Sequence, residues 1–138
     1  MMNIYKGQGI MMCLDYADGQ SCDYKRPFLV LETDQTLNQL SLLNVSSLRG
    51  KAHKLMYPSN ERIIKFKPPF YLKSFVKLDS LYTVEYFPEL TTKIMDSGQA
   101  LDIYEMSKIE YRYNAYLQGN EISSVRYAAE QVKTFNSL

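Results

Sequence analysis

The sequence predicts an α+β fold that is mostly β: a small curled sheet or barrel with helices at its C-terminal end. Short apolar runs of strand length, separated by turn residues, follow one another closely up to Pro88. After Ser97 and Gly98 the apolar residues recur every three or four positions, which is typical of a helix. Strands first and helices last indicate a sheet that packs its apolar face against helices.

Five strands are expected in the N-terminal part. Pro27 can begin a strand because proline is tolerated at the first position, and an apolar run follows it. Pro68 and Pro69 end the fourth strand, and Pro88 ends the fifth, which carries a bend. The expected strands cover residues 9–14, 27–32, 40–45, 62–67 and 74–86, with polar loops at 19–25 and 46–54.

Two helices are expected after the strands. The first carries an apolar stripe from Ile103 to Leu117 and stops at Gly119, a residue that favours helix C-termini. Asn120 can cap a second helix, whose apolar stripe runs from Ile122 to Phe135. We therefore expect residues 119–138 to be a helical extension of one domain that spans 1–138.

Composition limits the class of protein. The 138 residues fit one domain with its own core, and the 46% apolar content excludes a disordered chain. No apolar run approaches the roughly 20 residues that span a bilayer, and the N-terminus lacks the apolar core of a secretory signal. Cys13 and Cys22 are too few for a disulfide framework or a four-cysteine zinc site, and Cys13 lies in an apolar strand. We expect a cytoplasmic protein with reduced cysteines and no membrane contact.

The charge is unevenly distributed. The chain carries a net charge of +1, but Glu61 is the only acidic residue between positions 44 and 77. Such a local field attracts phosphate, although a solvated basic face is the alternative. Twelve tyrosines offer stacking surfaces for bases or simply fill a small β core. The basic residues of this stretch are Arg49, Lys51, Lys54, Arg62, Lys65, Lys67, Lys73 and Lys77.

The common catalytic motifs are missing from the sequence. It contains no phosphate loop, dinucleotide-binding glycine pattern, nucleophile elbow or metal-ligand cluster, so neither a metal nor a cofactor is expected. His53, the single histidine, lies in the basic loop and is interpreted as an exposed residue that touches phosphate. Cleavage of RNA by its own 2′-OH is compatible with what remains. The substrate supplies the nucleophile, and the enzyme supplies positioning, positive charge and proton transfer.

Three segments, in order, resemble the MazF/PemK/Kid family of toxin ribonucleases. The first is Gly9-Ile10, a strand ending at Asp15, then Gly19, then Lys25-Arg26-Pro27 leading into an apolar strand. The second, residues 42–47, is similar to the family's third strand, which ends in Thr or Ser. The third, residues 72–85, is similar to its late segment, in which a Ser opens a strand that carries a carboxylate. The resemblance covers roughly residues 6–118.

The resemblance implies a fold, an activity and partners. The fold is a small SH3-like β-barrel of the CcdB/MazF type with C-terminal helices. The activity is a cytoplasmic, metal-independent endoribonuclease that cleaves single-stranded mRNA and leaves a 2′,3′-cyclic phosphate and a 5′-OH. The partners are a second copy of the chain, in a homodimer, and a cognate antitoxin that blocks the RNA groove.

Catalytic roles follow from the same resemblance. Arg26 matches the arginine that stabilises the phosphorane, and Ser46 matches the residue that holds the phosphate or the 2′-OH. Asp79 and Lys77 match an acidic and a basic residue of the late strand. Lys77 replaces an arginine and offers a point charge instead of a planar fork. Gln20 stands where some members have a histidine proposed as the base, so the general base stays open.

RNA contacts are expected from the two loops. The basic loop would guide the RNA backbone, and Tyr24 would stack on a base. Each of these residues also has a structural interpretation, such as a surface charge or a turn cap. The alternatives are a CcdB-like toxin with a protein target, which the absence of Trp disfavours, and a non-catalytic RNA- or protein-binding barrel. The expected RNA-binding residues are Gln20, Tyr24, Lys25, Ser47, Arg49, Lys51, His53 and Lys54.

Overall fold

One six-stranded sheet organises residues 2–138, the part of the chain that this computed structural model describes. Two α-helices follow the first five strands in sequence, and the sixth strand lies between the helices. The strands are β1 Gly9–Met12, β2 Arg26–Asp34, β3 Gln39–Ser47, β4 Asn60–Ile63, β5 Ser74–Glu85 and β6 Ser123–Tyr127. The helices are α1 Ile103–Gly119 and α2 Ala129–Asn136, and short 3-10 turns cover Ala52–Met56, Pro88–Lys93 and Asp96–Gly98.

The long strand β5 connects the parts of the sheet. The sheet order is β1-β2-β3-β5-β4, with antiparallel neighbours, so β5 pairs with β3 on one side. On its other side, the first residues of β5 pair with β4, and residues 80–84 pair in parallel with β6. Two short strands, β4 and β6, therefore share one side of β5.

A bend in the middle of β5 displaces four residues from the ladder with β3. Leu43 lies opposite Leu81 and Val45 lies opposite Val76, so the register shifts between these two pairs. The backbone N–H of Leu78 instead donates to the carbonyl of Ser59 at 2.7 Å. Bulges of this kind redirect side chains, and residues two apart in a strand share a face. The bend therefore presents the side chains of residues 77 and 79 together.

Alternation along β2 divides the core between the two faces of the sheet. Phe28 and Val30 belong to one cluster of buried side chains, and Leu29 and Leu31 belong to the other. The helix α2 covers the first cluster with Val132. The helix α1 covers the second cluster with Met106, Ile109 and Tyr113.

The predicted α+β, mostly β class is confirmed, with differences at the ends of elements. The first predicted strand ends at Met12 instead of Leu14, and the fourth covers 60–63 instead of 62–67. The helix α1 has the predicted extent, and the Asp102 side chain caps it by accepting from the backbone N–H groups of Tyr104 and Glu105. No helix within residues 2–138 has the length and hydropathy that a bilayer span requires.

The predicted helix from Asn120 is wrong over residues 123–127. That segment is β6, which pairs with the part of β5 that extends beyond β4. Val125 and Tyr127 turn inward while Arg126 is exposed, which is the alternation of a strand. The spacing of apolar residues in this segment fits both a helix and a strand. It forms a strand because the edge of β5 is open for pairing there.

The expectation of two reduced cysteines is also wrong in this structure. Cys13 and Cys22 form a disulfide, with their Cα atoms 5.8 Å apart. Cys13 is half-buried, although its position in an apolar strand predicts a buried side chain. A turn brings the two residues together, because the N–H of Tyr16 donates to the carbonyl of Gln20 and the N–H of Gly19 donates to the carbonyl of Tyr16.

Candidate active site

Arg26 is a buried cation whose donors are largely uncommitted. It is the first residue of β2, opposite Met12 of β1, and only 8% of its surface is exposed. Its Nε and Nη2 atoms have no hydrogen-bond partner among residues 2–138. The Asp23 carboxylate lies 3.9 Å from Nη2, but that side chain is 72% exposed and outside hydrogen-bond distance. A buried guanidinium with free N–H groups is a site for an anion.

Two aromatic rings hold the guanidinium in place of a carboxylate. Its central carbon lies 3.4 Å from the centroid of the Tyr16 ring and 5.0 Å from that of Tyr24. Burial lowers the pKa of Arg26, yet an arginine side chain stays protonated in proteins. The positive charge is therefore retained in a partly dry environment, where its interaction with phosphate is stronger than in water.

Arg26 lines a cavity of about 440 Å³, and other cationic and hydroxyl side chains also line this cavity. Ser46 and Ser47 lie at the end of β3, and the Lys51 ammonium donates to the Ser46 hydroxyl at 3.3 Å. Lys54 belongs to the 3-10 turn that follows. The floor is apolar and includes Met11, Pro27, Val45, Phe70, Leu72 and Met95. The cavity thus combines anion-binding groups with surface that suits a base.

A second cavity of about 370 Å³ adjoins the first one. Tyr16, Lys54 and Lys77 line both cavities, whereas Asp79 and Tyr82 line only the second. Its polar wall also includes Asp18, Ser59, Asn60, Ser80 and Ser123. In the described part of the chain, no three His, Cys, Asp or Glu side chains come together in a group that could hold a metal ion.

The bend of β5 places the Lys77 ammonium where the cavities meet and the Asp79 carboxylate in the second cavity. Burial lowers the pKa of Lys77, and the nearby charges of Lys54 and Arg26 lower it further, against the opposing effect of Asp79. Burial also raises the pKa of the Tyr82 phenol, whose oxygen accepts from the N–H of Ala17 at 3.2 Å. Lys77 is therefore a better proton donor than an ordinary lysine, and Tyr82 stays protonated at neutral pH.

Most of the predicted site residues lie together, but four lie outside the cavities. Arg26 and Lys77 share the first cavity with Ser46, and Asp79 lies in the adjoining one. The predicted RNA-binding residues at the first cavity are Tyr24, Ser47, Lys51 and Lys54. Those on the exposed surface away from both cavities are Gln20, Lys25, Arg49 and His53.

Three residues of the site were not predicted from the sequence. Tyr16 and Tyr82 are two of twelve tyrosines, and only the fold shows which of them border the cavities. Asn44 is buried within β3, where the register with β5 shifts, and its amide donates to the carbonyl of Pro27 at 3.3 Å. A buried polar residue inside an apolar strand was the available signal, because such groups usually have an assigned partner.

Comparison with known proteins supports the fold. No family model and no curated protein sequence matches this chain. Among solved structures it is similar to an endoribonuclease in complex with its cognate antitoxin from Mycobacterial species, with a TM-score of 0.53 and 16% sequence identity. The similarity covers 85% of this chain and 96% of that chain. The two proteins therefore share a fold.

Proposed function

We propose that this chain is a toxin of the MazF/PemK type, a metal-independent endoribonuclease that cleaves single-stranded RNA. The observation that carries the proposal is the buried Arg26 guanidinium, with free N–H groups, at the wall of a basic cavity. The fold shared with an endoribonuclease supports the same activity. A solvated surface charge, the alternative for this arginine, would not be 8% exposed.

The reaction needs no nucleophile from the protein. The substrate 2′-oxygen attacks the adjacent phosphorus, the bond from phosphorus to O5′ breaks, and a 2′,3′-cyclic phosphate forms. Arg26 donates to the non-bridging oxygens as negative charge accumulates on them, and its planar fork suits two of them at once. The Ser46 hydroxyl and the Lys51 ammonium, which already touch each other, bind the same phosphate from the other wall.

Asp79 and Lys77 carry the two proton transfers in this proposal. The Asp79 carboxylate accepts the proton of the 2′-OH, and the Lys77 ammonium gives a proton to the departing O5′. Both side chains come from the bend of β5, and Lys77 lies where the two cavities meet. Its lowered pKa favours proton donation. The product then carries a 5′-OH, and proton exchange with water restores both groups.

Bases and backbone on either side of the scissile phosphate contact the cavity rims. Lys54 faces both cavities and suits the RNA backbone. Tyr24 and Tyr71 are 58% and 55% exposed at the rim of the first cavity, where a splayed base can stack. Both rings lie beside the apolar floor, which favours single-stranded RNA over a closed duplex.

Two protein partners belong to the proposal: a cognate antitoxin and a second copy of this chain. The structural neighbour was solved with its antitoxin. An antitoxin that covers Arg26 and Lys77 with acidic groups would compete with RNA for the same cations. Size-exclusion chromatography with light scattering measures the expected homodimer, which we place in the cytoplasm.

The decisive experiment is cleavage of a mixed pool of single-stranded RNA with EDTA present. The Arg26→Ala variant should fold normally by circular dichroism and lose at least about 100-fold of the rate, as when a transition-state donor is removed. Arg126→Ala is the matched control, because that side chain is exposed, donates to Gln39, and lines neither of the two cavities.

The products separate the alternatives. New 5′ ends that accept a label from polynucleotide kinase without prior phosphatase treatment identify a 5′-OH. RNA binding without any product would indicate a binding module instead. Growth arrest that persists in Arg26→Ala cells would indicate a toxin with a protein target. Unchanged cleavage by Arg26→Ala would remove this residue from the mechanism.

A further inference from the structure

The loop that carries Tyr16 is fixed at several points around that residue. The Tyr16 backbone N–H and carbonyl are both used by the turn that ends at Gln20. On one side, the Asp15 carboxylate accepts from the N–H of Cys22 at 2.9 Å, and the Asp15 carbonyl accepts from the Tyr127 hydroxyl at 2.8 Å. On the other side, the N–H of Ala17 donates to the Tyr82 phenol. These hydrogen bonds fix the backbone at Tyr16 and on both sides of it.

The ring face is a different kind of partner from a carboxylate. A carboxylate in contact with a guanidinium occupies its N–H donors and neutralises its charge. An aromatic face attracts the cation through its quadrupole and leaves the donors at the guanidinium edge free. Arg26 shows this arrangement, with the Tyr16 ring 3.4 Å away and with Nε and Nη2 unpartnered among residues 2–138.

We propose that Tyr16 is a positioning residue, which holds the Arg26 guanidinium against its ring face so that the free N–H groups stay available to the phosphate. The proposal rests on the function proposed above, and it adds a residue to which the family resemblance assigns no role. Tyr24, at 5.0 Å and largely exposed, is the weaker of the two aromatic partners.

Kinetics test the role of the ring. Tyr16→Phe keeps the aromatic face and should cleave RNA within about two-fold of the wild-type rate. Tyr16→Leu removes it and should lose about 3- to 30-fold in kcat with a smaller change in KM, the range that a cation–π contact of this kind accounts for. Tyr111→Leu on α1, at an exposed tyrosine, is the matched control. Equal losses in the Phe and Leu variants would overturn the proposal.

Nuclear magnetic resonance tests the contact without any need for activity. The guanidinium carbon of Arg26 lies 3.4 Å from the centroid of the Tyr16 ring, so ring currents should shift the neighbouring Nε–H proton upfield. The shift should persist in Tyr16→Phe and disappear in Tyr16→Leu, while both variants keep the backbone spectrum of the folded protein. An unshifted proton in the wild type overturns the positioning role. A shifted proton in a wild-type protein that does not cleave RNA leaves the contact intact and refutes only the nuclease function.

Discussion

Loss of the Cys13–Cys22 disulfide should destabilise the protein by an amount that the loop length sets. The two cysteines are nine residues apart, so the bond closes a loop of about ten residues. Chain entropy alone gives such a loop about 2.7 kcal/mol of stabilisation at 25 °C, because the cross-link restricts the unfolded chain. The double variant Cys13→Ser, Cys22→Ser should lose roughly that much free energy of unfolding.

Thermal unfolding measures the loss directly. Proteins unfold with an entropy of about 2.1 cal/mol/K per residue near 60 °C, so for 138 residues the loss converts to a decrease of about 9 °C in Tm. Oxidised wild-type protein should fall by that amount when a dithiol reductant is added. The double variant should be insensitive to the reductant, which is the control for effects outside these cysteines.

Two results would refute this reasoning. One is a wild-type Tm that does not respond to the reductant although mass spectrometry shows both thiols free. The other is mass spectrometry of air-oxidised protein that shows two free thiols, since the bond would then not form in solution. The activity is informative as well: the loop carries Tyr16, and a loosened loop should lower kcat as Tyr16→Leu does.

Three other predictions follow from charges in the structure. Cleavage should decline as the pH rises through the lowered pKa of Lys77, because the ammonium is the required form, and Lys77→Arg should move that decline to higher pH in a pH–rate profile. Burial would raise the pKa of Glu105, but the Lys108 ammonium and backbone N–H groups outweigh it and lower that pKa. Glu105→Gln should therefore cost about 1–3 kcal/mol in denaturant unfolding at pH 7, and the difference should shrink as the pH falls below about 4. Lys51→Ala and Lys54→Ala, each made in Arg26→Ala protein, should reduce the salt slope of RNA binding by about 0.7 in fluorescence anisotropy.

The fold was predictable where local patterns were unambiguous. Proline positions and apolar runs located β2 and β5, and apolar residues that recur every three or four positions located α1. The strand β6 was not predictable, because its few apolar residues fit two periods and its partner is the distant β5. Long-range pairing of this kind depends on which sheet edge is open, and a single segment carries no information about that.

The site was predictable only in part, for a similar reason. Arg26, Ser46 and Lys77 line the same cavity because each lies at the end or the bend of a strand that the sequence defines. His53 and Arg49 share the basic loop with Lys51 and Lys54, yet they face solvent. Sequence shows that a loop is basic, but the turn geometry decides which of its side chains reach the cavity.

The cavity concentrates positive charge, and this lowers the stability of the folded state. Burial and neighbouring cations lower the pKa of Lys77. The charged ammonium is therefore less favourable in the folded state than in the unfolded chain, and it lowers the free energy of unfolding. Arg26 is buried without a hydrogen-bonded carboxylate among residues 2–138, which adds to the same cost. A phosphate that binds between Lys77 and Arg26 offsets both of these free-energy costs. The effect grows as negative charge builds up in the transition state. The Tyr16 ring and the apolar cores on both sheet faces supply the stability that allows the cations to remain unpaired.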